Sequence, residues 1–274
     1  MGCDLWSTHE KFFFFLVIPL ILAIIYLLPL DVKDAYFILH KTNFSILSMF
    51  LSNYTHSDFM HLAENLIAYL LVMCLIIKFE TNKSNFYKTA CFLFLILPFI
   101  ISAFTLHFIP TQNAFGFSGI VVGLFGYFVY VTYGYIKDVW KLNADISFIY
   151  LIFCINAFIG VRSWLVNDLT YLALILLILV SLILFYYNCF LIKDIIHLLK
   201  LKIQQGLSTC GLLTFILAVV VTFILAVVVL FCSLPLLIQV TFENGNLTNA
   251  LAHYIGYIFG VFFPVIFLET KIWK

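Results

Sequence analysis

The sequence predicts an all-α polytopic membrane protein, a bundle of about eight transmembrane helices. Two observations support this fold class. Hydrophobic residues make up 65% of the 274-residue chain and charged residues only 10%, which is far more apolar than the composition of soluble domains. The apolar residues are also grouped in segments of about 20, the length of helix that crosses the hydrocarbon core of a bilayer.

Eight apolar segments follow one another, and most are separated by charged residues or turn formers. The longer stretch 31–58 mixes apolar with polar residues, so we expect it to lie partly in the membrane interface. No linker or repeat divides the chain, and residues 1–274 are therefore predicted to form a single transmembrane domain. The apolar segments are 12–30, 59–79, 89–109, 117–136, 145–162, 169–192, 211–240 and 247–268.

Lysine and arginine are unevenly distributed between the two sides that eight spans define. The side that carries both termini holds eleven of them, whereas the opposite side holds only Lys33, Lys41 and Arg162. Cationic residues in short loops are retained in the cytoplasm. We therefore expect a multi-pass protein of the cell membrane with both termini cytoplasmic and the loops near 113 and 245 outside.

The same composition argues against several classes of function. A net charge of +1 with no basic cluster gives no basis for a nucleic-acid partner. All eight aspartates lie near segment ends, so no intramembrane carboxylate pair is available for aspartyl protease chemistry. His61 and Glu64 do not form the HExxH zinc motif, and no two of the seven cysteines have CxxC spacing. No metal or other cofactor is expected.

A serine among glycines lies at the outer end of the fourth apolar segment. Small residues at this spacing are typical of close helix packing, which is one interpretation of the motif. A serine at a helix N-terminus is also close to backbone N–H groups that can stabilise an oxyanion. The serine is Ser118, and the glycines are Gly116, Gly119, Gly123 and Gly126, the last three on one helix face.

A histidine lies early in the last apolar segment, followed by two glycines on the same helix face. These residues are His253, Gly256 and Gly260. The glycines favour close contact with another helix. The histidine could either bond to a neighbouring helix or act as a base, and its position alone leaves both roles open.

A third polar set lies at the outer end of the second apolar segment. His61 and Asn65 are one helical turn apart, so their side chains point the same way. The alternative interpretation is a polar cap in the membrane interface, which describes His56 better than it describes Asn65.

Together the three sets resemble the pattern of the rhomboid family: HxxxxHxxxN in one helix, GxSG followed by glycines in another, and a late histidine followed by glycine at +3 and +7. The resemblance covers residues 56–136 and 247–264, while 140–240 departs from it and contains extra spans. It implies a rhomboid-like core and an intramembrane serine endopeptidase that cleaves transmembrane proteins near the outer leaflet.

The resemblance also implies a role for each polar residue. Ser118 corresponds to the nucleophile and His253 to the general base, while His61 and Asn65 correspond to donors of the oxyanion hole. Val122 is a departure, because many members have an aromatic ring there against the histidine. The Trp-Arg pair of the first outer loop is absent from residues 31–58.

The span count predicts how the two catalytic helices are arranged. Three spans separate them, so both run inward from the outer face. Ser118 begins its helix and His253 lies about six residues into its own, which places both within roughly the outer third of the bilayer at about 1.5 Å per residue. We expect the helices to pack through their glycine faces.

Two alternative functions remain. A rhomboid-like pseudoprotease would bind or remodel transmembrane clients without cleaving them, although it would have no chemical reason to keep both Ser118 and His253. A transporter is less expected, because the ionisable residues gather near one outer site and form no path across the membrane. The expected partners are transmembrane protein substrates and the lipid bilayer.

Overall fold

The computed structural model describes residues 5–108, 113–162, 168–204 and 250–269, and this part of the chain is mostly helical. The predicted apolar segment 211–240 and the loop near 245 lie outside the described residues. The elements are α1 (Thr8–Tyr26), α2 (Leu30–Tyr36), β1 (Leu39–His40), α3 (Ile46–Leu51), α4 (Phe59–Phe79), α5 (Lys83–Phe108), β2 (Asn113–Ala114), α6 (Ser118–Asp138), α7 (Ser147–Arg162), α8 (Asp168–Tyr187), α9 (Cys189–Gln204) and α10 (Ala250–Pro264).

Five helices of the described part are long and apolar enough to cross a membrane: α1, α4, α5, α6 and the helix Ala252–Glu269, in which a π-helical turn over Val265–Glu269 continues α10. A sixth span results if the bent pair α8 and α9 is counted as one. In α7 the apolar stretch is shorter, over Ser147–Ala157. The all-α polytopic fold class is thereby confirmed, whereas the count of eight spans stays a prediction because it includes residues beyond those described.

The chain forms two compact units. The first consists of Met1–Phe128 and Leu236–Lys274, and the second is Val129–Pro235. The boundary between them falls inside α6, which begins in the first unit and ends in the second. All the predicted site residues belong to the first unit.

In the first unit, a tyrosine bonds to a helix carbonyl that a proline leaves without a partner. A π-helical turn over Phe13–Val17 shifts the backbone bonds of α1 by one residue, so the carbonyl of Phe14 would next accept from residue 19. Residue 19 is a proline and has no N–H. The fully buried Tyr69 of α4 donates its hydroxyl to this carbonyl at 2.9 Å.

A similar hydrogen bond joins the segment before α4 to α5. The carbonyl of Phe94 lies four residues before Pro98, which cannot donate to it, and it accepts the hydroxyl of Tyr54 instead. The neighbouring Asn53 is buried, and its Nδ2 donates to the carbonyl of Pro98 at 3.1 Å and to Ser102 Oγ at 3.0 Å. The chain entering α4 is therefore held at two adjacent residues.

In the second unit, α7 and α8 pack along one another, and the chain turns by 63° between α8 and α9. Asn188 lies at the turn and is buried. Its Nδ2 donates to the carbonyl of Leu184 at 2.8 Å and to Ser147 Oγ, at the start of α7, at 3.1 Å. The predicted apolar segment 169–192 is thus divided at Asn188, because the amide ties this position to another helix.

The hydrogen bond from Tyr69 to the carbonyl of Phe14 gives a prediction for stability. Tyr69→Phe should lower the free energy of unfolding by about 1–2 kcal/mol, because the carbonyl of Phe14 then loses its donor in an apolar environment. The measurement is unfolding in mixed detergent micelles. Tyr186→Phe, at an exposed tyrosine, is the matched control and should change nothing.

A double-mutant cycle with Pro19→Ala tests the cause. The new backbone N–H at position 19 can bond to the carbonyl of Phe14, so Tyr69→Phe should cost less in this background. An equal cost in both backgrounds would show that the tyrosine stabilises the protein by some route other than this hydrogen bond.

Candidate functional site

The loop before Ser118 is held by backbone hydrogen bonds. β2 pairs antiparallel with β1, which places Ala114 opposite Leu39. Two residues later, the N–H of Gly116 donates to the carbonyl of Ser52 at 2.9 Å. Gly116 has a φ of +142°, a backbone conformation that side chains disfavour. Glycine is thus required at this position by the course of the loop.

Phe117 anchors the same loop in the core of the first unit. Its fully buried ring lies 5.7 Å from the ring of Tyr54 and 5.8 Å from that of Tyr69, between centroids. Its carbonyl accepts the N–H of Ile120 at 3.1 Å, the first backbone bond of α6. Phe117 therefore fixes where Ser118 begins the helix. The sequence motifs did not single out Phe117, although a large aromatic residue inside a glycine motif was an available signal.

Ser118 and His61 border the same small space beside Gly116. A Cβ atom built on Gly116 would lie 3.5 Å from Cε1 of His61 and 3.7 Å from Oγ of Ser118. Both side chains are half-buried. The structure thus brings the predicted nucleophile close to one predicted oxyanion donor, with only hydrogen at the intervening glycine.

The first turn of α4 orients His61. Asp58 is the N-cap, and its Oδ1 accepts the N–H of His61 at 2.9 Å. The hydroxyl of Ser57 donates to the other oxygen at 2.6 Å and, with the N–H of His61, lowers the pKa of Asp58. The cap is therefore ionised at neutral pH and lies at the positive end of the helix dipole.

Asn65 is buried one turn further along α4. Its Nδ2 donates to the carbonyl of His61 at 3.0 Å. A side-chain amide carries two N–H groups, so one remains for another acceptor. The structure thus places Asn65 next to His61 in the way that the helical spacing predicted.

His56 is buried and contacts His61, whereas the sequence suggested a polar cap in the interface. The two rings meet edge to face at 5.2 Å between centroids, and neither nitrogen of His56 has a hydrogen-bond partner among the described residues. His56 precedes the membrane-spanning α4, and burial lowers its pKa to about 3. It is therefore neutral at pH 7 and acts on His61 through packing.

Glycine faces bring α6 and α10 into direct contact. A Cβ atom built on Gly119 would lie 3.2 Å from the carbonyl oxygen of Ala252. Residue numbers rise together along the two helices at successive contacts, so the helices run in the same direction. The facing pairs are Gly119 with Ala252, Gly123 with Gly256, and Gly126 with Gly260.

The approach is close enough that backbone lies against backbone. A Cβ atom on Gly256 would overlap the carbonyl oxygen of Gly119, and one on Gly260 would overlap that of Gly123. Glycine is therefore required at these positions because a side chain would overlap the other helix, and not because of the backbone conformation.

His253 lies at the level of Ser118. Because the preceding residue, Ala252, packs against Gly119, the two predicted catalytic residues are adjacent to the same point of contact. His253 is buried, and neither of its ring nitrogens has a hydrogen-bond partner among the described residues. In this structure, Ser118 and His253 are therefore at matching depth without a hydrogen bond between them.

The described part of the chain contains no group of three or more His, Cys, Asp or Glu side chains that could hold a metal ion. The polar groups of the site are a hydroxyl, imidazoles, a carboxamide and backbone N–H groups. This set can supply a nucleophile, a base and hydrogen-bond donors, which is the inventory for acyl transfer.

Comparison with known families gives one match. The family model described as Rhomboid domain matches residues 43–189, more than half of the chain. The matched range contains His61, Asn65 and Ser118 and ends before His253. It also includes residues 140–189, where the sequence motifs gave no resemblance. Among curated proteins and among solved structures, no match to the chain is found.

The contact between α6 and α10 predicts a steric effect. Gly256→Ala and Gly260→Ala should each lower the free energy of unfolding by about 1–3 kcal/mol or more, because the added methyl group overlaps a backbone carbonyl and separates the helices. The measurement is unfolding in detergent micelles. Ile258→Phe is the control, since it adds bulk on the exposed side of α10. Full stability of both glycine variants would contradict the contact.

Proposed function

Because the chain belongs to the rhomboid family, we propose that it is an intramembrane serine endopeptidase that cleaves transmembrane proteins near the outer leaflet. One observation supports this proposal above the others. Ser118 begins α6 next to the imidazole of His61, while α10 carries His253 to the same depth through the contact of Ala252 with Gly119. In the proposal, the nucleophile, the base and the oxyanion donor His61 therefore act together near the start of α6.

In the proposed reaction, Ser118 Oγ attacks the carbonyl carbon of the scissile peptide bond while His253 accepts the hydroxyl proton. The C–N bond breaks as His253 passes this proton to the leaving amine, and an acyl-enzyme remains. Water, deprotonated by His253, attacks the ester and releases the new carboxyl end together with the free hydroxyl of Ser118.

The oxyanion of each tetrahedral intermediate needs donors that are already oriented. His61, Asn65 and the backbone N–H of Ser118 have this role in the proposal. The first N–H groups of α6 lack intrahelical acceptors, as at every helix N-terminus. Packing against His56 and the cap at Asp58 keep His61 in place, so little reorganisation is needed when charge develops.

A non-catalytic member of the family that binds transmembrane clients is the second candidate. It is favoured by the unpartnered ring nitrogens of His253 among the described residues and by Val122, which leaves the histidine without an aromatic support. Catalytic hydrogen bonds often tighten only when substrate is bound, so we rank the protease first. The experiment below separates the two.

We also propose that the protein resides in the cell membrane with both termini in the cytoplasm. The bias of eleven cationic residues to three supports this orientation. The parallel course of α6 and α10 supports a common outer face for Ser118 and His253, because the N-terminal parts of both helices then lie on the same side.

Substitutions at the site should either abolish cleavage or only slow it. Ser118→Ala and His253→Ala should abolish cleavage of a transmembrane substrate by the purified protein, because covalent turnover needs both. Asn65→Ala should slow cleavage about 10²–10³-fold, since it removes one oxyanion donor. A serine-directed phosphonate should label Ser118 in the wild type and in Asn65→Ala, but not in His253→Ala.

Two controls accompany this experiment. Each variant is first shown to unfold at the wild-type detergent concentration. Ser84→Ala, at an exposed serine, should retain both labelling and cleavage. Cleavage that persists in Ser118→Ala would refute the catalytic assignment. A folded wild type that binds transmembrane helices but is neither labelled nor active would favour the non-catalytic member.

The orientation has its own test. Single cysteines introduced at Asn113 and Gly245, in a variant without native cysteines, should react in intact cells with a maleimide that cannot cross the membrane. A cysteine introduced at Ser84 should react only after the membrane is permeabilised. Protection of either outer position in intact cells would remove the common outer face on which the proposed site depends.

A further inference from the structure

The elbow between α8 and α9 has the features of a membrane boundary. Tyr186, Tyr187 and Phe190 are the most exposed aromatic side chains there, at 75%, 72% and 73%. Tyrosine and other aromatic residues concentrate where the hydrocarbon core meets the headgroups. The 63° turn at this point directs α9 away from the axis of α8, and the buried Asn188 fixes the turn through Ser147 and Leu184.

The helix beyond the elbow has one basic face and one apolar face. Lys193, His197 and Lys200 are spaced four and three residues apart, and all three are exposed. The opposite face is mainly apolar and carries Leu191, Ile192, Ile195, Leu198 and Leu199, which are buried or half-buried; by its spacing Lys202 falls at the end of this face. This distribution is typical of a helix that lies in a membrane interface.

A return of α9 into the hydrocarbon core is the competing geometry. It would place three lysines and one aspartate, between residues 193 and 202, at membrane depth, where each charge is costly. A position along the surface leaves the basic face in water, while the apolar face, which the protein already buries in part, turns towards the membrane. Surface placement is therefore the favourable arrangement for this sequence.

We propose that α9 is an interfacial helix that binds anionic phospholipid headgroups through Lys193 and Lys200. The occupant follows from charge complementarity, because the exposed face offers ammonium groups to phosphate at the depth marked by the aromatic side chains of the elbow. Apart from its first residue, α9 lies beyond the matched family range of 43–189. The inference is independent of the proposed protease activity.

The test uses the full-length protein in bilayers of equimolar phosphatidylcholine and phosphatidylglycerol. Spin-labelled forms of each lipid report which one the protein surface immobilises. We expect phosphatidylglycerol to be preferred, and the double variant K193Q/K200Q to reduce this preference by about fivefold or more, since each basic residue near an anionic surface contributes to binding. Added salt should reduce the preference of the wild type, because it screens exposed charges.

The double variant K78Q/K88Q is the matched control. It removes the same charge from two exposed lysines that lie outside α9 but on the cytoplasmic side in the proposed orientation, and it should lower the preference by a smaller factor. An unchanged preference in K193Q/K200Q, or an equal loss in both double variants, would overturn the proposal.

Spin labels at His197 and Leu199, in a variant without native cysteines, test the geometry separately. The label at His197 should be accessible to a water-soluble relaxation agent, and the label at Leu199 to oxygen dissolved in the acyl chains. Shielding of both labels from water would indicate a re-entrant helix, whereas exposure of both would indicate a helix off the membrane. Either result would refute the interfacial position.

Discussion

The close approach of α6 and α10 is the constraint on which the candidate site depends. Backbone atoms of Gly119 and Gly123 fill the space where side chains of Gly256 and Gly260 would begin. Lipid gives helices no hydrophobic reason to associate, so such a contact relies on van der Waals packing between small residues. A larger residue at any of these positions would separate the helices and, with them, Ser118 and His253. Stability and the geometry of the proposed active site therefore have the same origin.

A second constraint is that backbone groups need partners in an environment without water. Tyr54 and Tyr69 meet it by donating to the carbonyls that prolines leave open in α5 and α1. The same two rings pack against Phe117, whose carbonyl begins α6. One aromatic cluster therefore donates hydrogen bonds to the carbonyls that the prolines leave open and also fixes the position of Ser118. A substitution in α1 or α5 can therefore change the position of Ser118 through this cluster.

The charged residues of α9 indicate which of two positions of this helix, inside the membrane or along its surface, costs less free energy. A lysine or aspartate at the centre of a membrane helix costs about 2.5–3.5 kcal/mol on insertion scales. Four such residues would outweigh the benefit of burying the apolar face of a 16-residue helix that an interface can already accommodate. A turn fixed by Asn188 and the proposed surface position of α9 avoid this cost, and they would place Lys193 and Lys200 where anionic headgroups lie.

The sequence by itself determined the fold class and the candidate residues, because apolar segments of spanning length are read directly and polar residues inside them stand out. Helical spacing also determined which glycines share a face, and the one-turn relation of His61 to Asn65. Only the tertiary structure decided the contact of Gly119 with Ala252, the burial of His56 and the role of Phe117. The elbow at Asn188 likewise depends on Ser147, 41 residues away. These features depend on partners far apart in the chain, and a local pattern cannot specify which distant surface a side chain meets.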